Sequence, residues 1–512
     1  MRRFVLTVGA VFIAASAAAL APDFEPDRLL AHIRFLSSDE MKGRDNGSPE
    51  LERAADYIAA QFKEAGLQPA GDDGSWFQSF ELQVGLTVGK ENRLIIERQG
   101  GRVSLTLGDS YYPLAAPISE NAGAPSTTLD DLPVVFAGYG LAVPTLGYDD
   151  YAGVDVANKA VLIFSHEPQE RDANSRLNGA RPMPQTTLQA KASLARSHGA
   201  RALLVVSDPT HQRDEGQYSL FKADPEAERL PIPVLRLRRD EMKPLLDAWE
   251  LDAVAAQIDR DLKPRSRPLA GGTVTYVESL SRTRRNVRNV VGVLPGSDPE
   301  KSKEAVVIGA HYDHVGLGGR LSVTPEITGQ IHNGADDNAS GTAAIMEMAK
   351  TAVTQRTRFP RTLVFVAFAG EERGLLGSAH YTTTPPIPMA STIGMVNLDM
   401  VGRANGGVDI SGLELSPSME ADLRAAADAA GEGLRIRREG PGAGRSDDSS
   451  FIARRVPAIN FFTGFHTDYH RPGDDWDKID TRGVSRVAAL ALELAARLAA
   501  RTDRPEFVQP RR

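Results

Sequence analysis

The sequence predicts an α/β protein, with a mixed, mostly parallel sheet flanked by helices and a smaller, β-rich α/β domain inserted into it. From residue 286 onward, short apolar runs typical of buried strands alternate with segments of helical periodicity, as in an open α/β sheet. The stretch 129–265 has a different texture, and 512 residues are too many for one ordinary hydrophobic core. We therefore expect a main domain and an insertion.

The chain divides into five predicted segments. In order they are a signal peptide, the first part of the main domain, the insertion, the rest of the main domain and a flexible tail, at 1–21, 22–128, 129–265, 266–502 and 503–512. Apolar residues three and four apart predict helices over 27–36 and 51–62. Alternating residues then predict short strands between 82 and 107.

The first 21 residues have the layout of a secretory signal peptide. Arg2 and Arg3 precede a mostly apolar run over 4–20, and small residues at its end offer a cleavage site. We expect an exported protein, periplasmic or extracellular, without stable membrane insertion after cleavage. The alternative is an uncleaved membrane anchor, because the run approaches the roughly 17 residues needed to span a bilayer.

The insertion and the second part of the main domain each alternate strands with helices. In the insertion, strands are predicted at 132–141, 159–164, 202–206 and 230–235, with helices at 186–197 and 239–249. This order resembles the protease-associated domain. In the main domain, strands are predicted at 289–294, 305–310, 362–368, 393–398 and 458–462, with helices at 340–353, 416–430 and 482–500.

Composition excludes several classes of protein. The formal net charge is −8, so the chain has no basic field that would gather nucleic-acid phosphates. Hydrophobic residues at 41% and charged residues at 25% are typical of folded soluble domains. The absence of cysteine excludes disulfides, thiolate metal ligands and cysteine nucleophiles.

Polar clusters follow the predicted strands of the main domain. They contain His311, Asp313, Glu371, Glu372, Asp399 and His470, and Asp337 opens a predicted helix. Ligand sites of open α/β sheets lie at the carboxyl ends of strands, so these side chains should converge. Imidazole and carboxylate ligands suit Zn²⁺, and a carboxylate can bridge two ions about 3.5–4 Å apart.

Five motifs in this region resemble, in order, those of the M28 family of zinc peptidases. They are GAHYDH at 309–314, NGADDNASG at 333–341, AGEERGLLGS at 369–378, NLDM at 397–400 and YHRP at 469–472. The resemblance implies the zinc exopeptidase fold and two Zn²⁺ per chain. The implied metal ligands are His311 and Asp399 on one ion, Glu372 and His470 on the other, and Asp337 bridging both.

The resemblance also implies three supporting roles. Glu371 would be the general base for a metal-activated water, and Tyr469 would steady the tetrahedral intermediate. Asp313 would fix the ring of His311, as carboxylates do behind zinc-bound histidine. From the residues alone, Asp313 could instead accept from backbone N–H groups near the turn.

Some assignments stay open at this stage. His466 rivals His470 as a ligand on spacing alone, and the resemblance favours His470. His314, His332 and His380 are interpreted as loop or surface residues. The chain has Asp448 where many M28 relatives have histidine in a Ser-Asp-His sequence, which puts in doubt whatever that histidine does.

The resemblance implies a hydrolase that acts on peptides. We expect an exported aminopeptidase that removes N-terminal residues. A carboxypeptidase or dipeptidase is the first alternative, since the pocket walls decide which end is attacked. A glutaminyl cyclase and a non-catalytic binding module on the same scaffold are further alternatives. The sequence leaves the preferred residue and the oligomeric state open.

Overall fold

A computed structural model describes residues 24–115, 127–177, 183–209, 232–319, 321–324, 329–431, 433–438 and 446–508. The predicted signal peptide lies outside these residues. The described chain forms two compact units, one from the residues up to Leu82 together with those from Arg285 onward, the other from Gln83–Arg284. None of the described helices combines the length and the apolar character needed to cross a membrane.

The helices of the described chain are α1 Pro26–Leu36, α2 Pro49–Ala65, α3 Leu188–Ser197, α4 Arg239–Ala248, α5 Leu251–Asp261, α6 Gly341–Thr354, α7 Leu376–Thr383, α8 Glu420–Ala430, α9 Asp448–Ala453 and α10 Thr481–Ala500. The strands are β1 Gln68–Pro69, β2 Phe77–Val88, β3 Arg93–Arg98, β4 Gly101–Leu105, β5 Tyr111–Ala115, β6 Thr127–Phe136, β7 Ala142–Val143, β8 Tyr148–Asp149, β9 Ala160–Phe164, β10 Ala202–Val206, β11 Val234–Leu237, β12 Arg267–Glu278, β13 Leu280–Leu294, β14 Ala305–His311, β15 Thr362–Phe368, β16 Thr392–Leu398, β17 Gly407–Ser411, β18 Arg435–Arg438 and β19 Ala458–Phe462.

The sheet of the first unit is parallel at its centre, is flanked by an antiparallel pair on each side, and ends on one side in the parallel pair β17–β18. Its strand order is β1-β13-β15-β14-β16-β19-β17-β18, and β2 also pairs with β13. The central strands β15, β14, β16 and β19 run parallel, whereas β13 and β17 pair antiparallel to their inner neighbours. The predicted mixed, mostly parallel sheet is confirmed.

Strands β14, β15 and β16 are buried along their whole length, as is typical of parallel sheets covered on both faces. Tyr381 of α7 and Phe451 of α9 share one apolar cluster with Val307 of β14 and Val364 of β15. Helices α6 and α10 also pack on β14 and β16. This burial fixes the strands whose carboxyl ends carry the candidate ligands.

The second unit has its own sheet, of order β4-β3-β12-β6-β9-β10-β11-β5. Strands β6, β9, β10 and β11 are parallel, while β3, β4 and β12 pair antiparallel at one side. The unit therefore extends beyond the predicted range 129–265 at both ends, because β3, β4 and β12 complete the sheet that the insertion begins.

The C-terminal residues contact the first unit as far as they are described. The N–H of Val508 donates to the carbonyl of Leu415, and the Arg504 guanidinium donates to the carbonyl of Ala390 at 2.6 Å. The predicted flexible tail over 503–512 is thus docked through residue 508.

Candidate metal centre

The polar clusters converge at the carboxyl ends of the central strands, as expected. His311 ends β14 and lies opposite Phe368 of β15, so Glu371 and Glu372 follow at the same edge. Asp399 comes directly after β16. The polar side chains that end or follow these apolar strands therefore lie together at the carboxyl ends of the strands.

One group of donor atoms surrounds the ring of His311. Its Nε2 lies 3.3 Å from Oδ1 of Asp337, 3.3 Å from Oδ1 of Asp399 and 4.0 Å from Oε2 of Glu371. His311 is 1% exposed, so these contacts are shielded from bulk water.

A second group surrounds the ring of His470. Its Nε2 lies 3.1 Å from Oδ2 of Asp337 and 3.0 Å from Oε2 of Glu372. The two oxygens of Asp337 therefore face different histidines, one in each group. This is the placement that a carboxylate bridging two ions requires.

The histidine tautomers decide what the site can hold. Nδ1 of His311 lies 3.2 Å from the Asp313 carbonyl, and Nδ1 of His470 lies 2.6 Å from the Leu321 carbonyl. A carbonyl only accepts, so each Nδ1 carries the proton and each Nε2 lone pair faces carboxylate oxygens. Such a contact needs a cation between the two atoms.

The spacing also fits zinc. Bonds of about 2.0 Å in a tetrahedral arrangement place neighbouring ligand atoms roughly 3.3 Å apart, and the four contacts of His311 and His470 with Asp337, Asp399 and Glu372 measure 3.0–3.3 Å. The donor set therefore fits two divalent cations that share Asp337.

The pKa values show how strongly these carboxylates demand positive charge. Burial lowers the pKa of His470, but its hydrogen bonds to Asp337 and Glu372 outweigh burial and raise it to about 11. Burial also lowers the pKa of His311, and Glu371 and Asp399 reverse that effect and raise it well above its usual range. A proton or a divalent cation at Nε2 satisfies this demand.

Asp313 acts mainly on the backbone. Its two carboxylate oxygens accept from the N–H groups of Glu371 and Glu372 at 3.1 and 3.3 Å, and Asn46 donates to it at 2.6 Å. The nearest carboxylate oxygen is 3.8 Å from Nδ1 of His311, which donates to the Asp313 carbonyl instead. The sequence left both roles open, and the geometry favours the contact with the backbone.

Glu371 is partly buried among charged groups, with its side chain 12% exposed. Burial raises the pKa of its carboxyl well above the usual range, His311 opposes that shift, and Glu372 and Asp399 add to it. A carboxylate with a raised pKa accepts a proton more readily than a solvated one. Glu371 is thus suited to transfer protons beside the two histidines.

His466 lies outside the donor set. Its Nε2 is 3.2 Å from Oδ2 of Asp336, and Asp474 accepts from the N–H groups of Asp336 and Asp337 at 3.0 Å each. His466 therefore neutralises the buried carboxylate of Asp336, which neighbours Asp337 in the chain. Of the two rival histidines, His470 is the one whose ring faces Asp337 and Glu372.

His314 and His332 lie in loops, as interpreted from the sequence, but both are fully buried, so neither is a surface residue. Nδ1 of His314 lies 2.8 Å from Oε1 of Glu372, and His314 belongs to a group with Asp337, Glu372 and His470 that could hold a metal ion. Its 2.8 Å contact is hydrogen-bond distance, so His314 fits best as a partner that orients Glu372. His332 lies under the same loops and contacts Ser322 Oγ at 2.9 Å.

The sequence missed what Asp447 and Asp448 do in place of the Ser-Asp-His pattern. Both are almost completely buried at the start of α9. Burial raises the pKa of Asp447 to about 7, and burial together with Asp447 raises that of Asp448 well above its usual range. Each of these carboxyls therefore holds a proton more readily than a solvated one.

A cavity that is partly open to solvent lies beside the donor groups, and its empty space, open mouth included, is about 540 Å³. Beyond His311, Asp337, Glu371, Asp399 and His470, its lining comprises Met400, Ser411, Ser446, Asn460, Phe462, Phe465 and Tyr469. The aromatic rings of Phe462, Phe465 and Tyr469 contact one another edge to face, and the Tyr469 ring stacks on that of His470, at centroid distances of 4.0–5.0 Å. The described lining contains no lysine or arginine.

A comparison with protein families identifies the part of the chain that carries these donor groups. Residues 289–495 match the model of peptidase family M28. The chain carries a peptidase M28 domain. All the motifs quoted above lie within the matched residues, and so do both groups of donor atoms.

Curated relatives match the M28 domain over part of their length. Leucine aminopeptidase 1 of Trichophyton equinum is 34% identical over 157 residues, 29% of this chain and 38% of that protein. A probable zinc metalloprotease of Leptosphaeria maculans is 32% identical over 158 residues, 30% of this chain and 34% of that protein. The chain thus spans about two fifths or less of the length of these relatives.

The fold extends further than the sequence similarity. An aminopeptidase from Aneurinibacillus sp. strain AM-1 superposes with a TM-score of 0.54, at 24% identity, over 95% of this chain and 97% of that one. At this level of identity the likeness concerns the fold alone. The α/β architecture around the M28 domain is therefore shared with a solved aminopeptidase structure.

Proposed function

We propose that the protein is a zinc-dependent aminopeptidase that hydrolyses N-terminal residues from peptides. The observation that carries the proposal is the arrangement of His311 and His470, whose Nε2 lone pairs face carboxylates while Asp337 reaches both rings. Two Zn²⁺ bound there would polarise the scissile carbonyl and activate the attacking water. The M28 match and the names of the relatives support the same reaction class.

Glu371 is the residue proposed to move the proton. Its carboxylate lies 4.0 Å from Nε2 of His311, lines the cavity and has a raised pKa. It takes a proton from the attacking water and delivers it to the leaving amine. Tyr469 lines the same cavity next to His470, where its hydroxyl can donate to the developing oxyanion.

The charges in the cavity favour the amino end of a peptide. A carboxypeptidase binds the free carboxylate of its substrate and needs a cationic side chain for it. The described lining offers carboxylates from Asp337, Glu371 and Asp399 but no lysine or arginine. A free α-ammonium group matches these carboxylates, and the apolar wall suits a neighbouring side chain.

The other candidates have less support. A glutaminyl cyclase works with one zinc ion, and both groups of donors are present here. A catalytically inactive binding module would not require Glu371 in the cavity beside an intact donor set. We further propose that the second unit corresponds to a protease-associated domain and that residues 1–21 direct export.

A mixed peptide library read by mass spectrometry tests the proposal. Each peptide is offered free, with an acetylated N-terminus and with an amidated C-terminus, before and after metal removal by a chelator. We expect single residues to leave the amino end of free and amidated peptides only, and activity to return with added zinc. Trimming of acetylated peptides from the carboxyl end would instead establish a carboxypeptidase.

A further inference from the structure

The residues 39–46, here called the 39–46 segment, join α1 to α2 in an unusual conformation. Lys42, Gly43 and Arg44 have φ angles of 42°, 67° and 47°. Side chains larger than glycine rarely adopt this left-handed region, at a cost of about 1–2 kcal/mol each. The surrounding structure therefore has to hold the segment in place.

The guanidinium of Arg44 supplies most of that support. Arg44 is completely buried, and its Nε–H donates to the carbonyl of Tyr312 at 2.8 Å. Its Nη groups donate to the carbonyls of Asn333 at 2.9 Å, Gly334 at 3.0 Å and Leu36. Tyr312 follows the ligand His311, and 333–334 immediately precede the turn that carries Asp337.

The backbone of the segment adds two contacts to the same loops. The N–H of His314 donates to the Arg44 carbonyl at 3.2 Å, and the N–H of Gly316 donates to the Gly43 carbonyl at 3.1 Å. A Cβ atom at Gly43 would lie 2.3 Å from the His332 carbonyl. The close approach therefore requires glycine at this position.

Polar side chains of the segment reach the remaining loops of the metal centre. Asn46 donates to Asp313 at 2.6 Å, and Asp313 in turn accepts from the N–H groups of Glu371 and Glu372. Asp45 pairs with Arg373 at 2.9 Å. The segment thus contacts the three loops that carry His311, Asp337 and the two glutamates.

We propose that Arg44 is a positioning residue for the metal centre. It ties the loop after β14 to the loop before α6, and so sets the separation of His311 and Asp337. The inference rests on the proposed two-metal peptidase site. Arg44 does not line the described cavity, and its hydrogen bonds go to backbone carbonyls rather than to the donor atoms, so it positions them through the loops.

The geometry explains why lysine cannot take this role. A planar guanidinium presents several N–H groups in fixed directions, which here meet carbonyls from three different parts of the chain. A lysine ammonium ends in a single point and can satisfy only some of them. The loops would then shift, and misplacement by about 1 Å can reduce turnover on the order of 10²-fold.

Arg361 provides a matched control. It is 3% exposed and donates to the carbonyls of Ala499 and Arg501 at 3.1 and 2.6 Å, with Glu304 as its ion-pair partner. Arg361 immediately precedes β15, at the amino end of the central strands and away from the donor groups. It is therefore an equally buried arginine whose role is structural.

The test compares Arg44→Lys with Arg361→Lys in the full chain. We measure zinc affinity by chelator competition, the absorption spectrum of the cobalt(II)-substituted protein, kcat and KM separately, and the midpoint of thermal unfolding. Both variants should unfold at lower temperature. Only Arg44→Lys should lose zinc affinity about 10–100-fold, alter the cobalt spectrum and lose kcat about 10²-fold with little change in KM.

Several outcomes would overturn the proposal. Wild-type metal affinity and cobalt spectrum in Arg44→Lys would do so, and so would equal losses in Arg361→Lys. If Arg44→Lys does not fold, Asn46→Ala decides, because it leaves Arg44 in place and removes one contact of the same segment. Unchanged zinc affinity and cobalt spectrum in that variant overturn the role of the segment, and a clear loss supports it. A wild-type chain that binds zinc but cleaves no peptide refutes the proposed function, while the affinity comparison still tests Arg44.

Discussion

Both units have polar groups at the carboxyl ends of their parallel strands, but these groups make different contacts in the two units. In each unit, parallel strands end in polar side chains, as open α/β sheets favour. In the first unit these side chains are imidazoles and carboxylates in contact at 3.0–3.3 Å. In the second, Lys191 reaches the carbonyls of Phe164 and His166 after β9, and Arg239 donates to the Ser207 carbonyl after β10.

The difference shows that a position at the carboxyl ends of parallel strands is not sufficient to make a metal site. Among the described residues, the groups able to hold an ion all belong to the first unit. In the second unit, buried cationic side chains already satisfy the carbonyls at the strand ends. In the first unit, only Nδ1 of His311 and of His470 contacts a backbone carbonyl, and Nε2 of each ring faces carboxylates.

The largest expected effect comes from replacing one glutamate by glutamine at the carboxyl ends of the strands in each unit and comparing the two variants. Glu372→Gln removes a charged donor, so zinc should fall to about one equivalent and kcat/KM on the order of 10³-fold or more. Glu167→Gln changes a buried glutamate three residues after β9 and should alter neither. Elemental analysis and steady-state kinetics check both variants. If Glu372→Gln retains two zinc ions, Glu372 does not hold metal, and the proposed difference from Glu167 is contradicted.

A smaller effect concerns the pH dependence of the second unit. Asp150 accepts from the N–H groups of Tyr139 and Leu141 and from the Tyr148 hydroxyl, and burial raises its pKa to about 7. Between about pH 4 and 7 the folded state therefore binds more protons than the unfolded state, and stability falls as pH rises through this window. Above pH 7 the loss is complete.

Asp150→Asn should remove this dependence. An amide can keep all three contacts, with its NH₂ group donating to the Tyr148 oxygen, and it carries no charge to bury. The variant should exceed the wild type in stability above pH 7 by on the order of 4 kcal/mol, because the pKa of Asp150 is raised from about 4 to about 7. Thermal unfolding at pH 5 and pH 8 measures the difference in stability between the variant and the wild type, with Asp149→Asn as the control. A difference that does not increase from pH 5 to pH 8 would contradict the assignment to Asp150.

The smallest expected effect separates Tyr469 from an aromatic residue at the other edge. Tyr469→Phe keeps the stacking on His470, whose ring centroid is 4.0 Å away, and removes only the hydroxyl. We expect kcat to fall about tenfold, or about 1.4 kcal/mol. Tyr139→Phe, after β6 of the second unit, should leave kcat unchanged. Equal turnover in both variants would remove Tyr469 from the reaction.

The sequence could predict what depends on local pattern. Apolar runs indicated the central strands, and the polar residues that meet are His311 at the end of β14, Glu371 and Glu372 shortly after β15, and Asp399 directly after β16. His470 could be preferred over His466 only through the M28 motifs, since the two lie four residues apart. The structure adds the reason, because His466 is turned towards Asp336.

The sequence could not show contacts between distant parts of the chain. Arg44 lies about 270 residues before its partner Tyr312, and nothing in the pattern of 27–62 distinguishes a supporting segment from an outer helix. The limits of the second unit were missed for the same reason. Strands β3 and β12 pair across more than 170 residues, and pairing at that separation leaves no local signal.

The two adjacent glutamates provide the most direct test of the central claim, that this edge of the sheet holds a two-metal hydrolytic site with Glu371 as its base. Glu371→Gln keeps the shape of the side chain but cannot accept the proton. We expect two zinc equivalents, an unchanged thermal unfolding midpoint and a kcat reduced 10²–10⁴-fold, the usual contribution of general acid–base catalysis. Near-normal turnover in this variant, with its zinc content confirmed, would contradict the account.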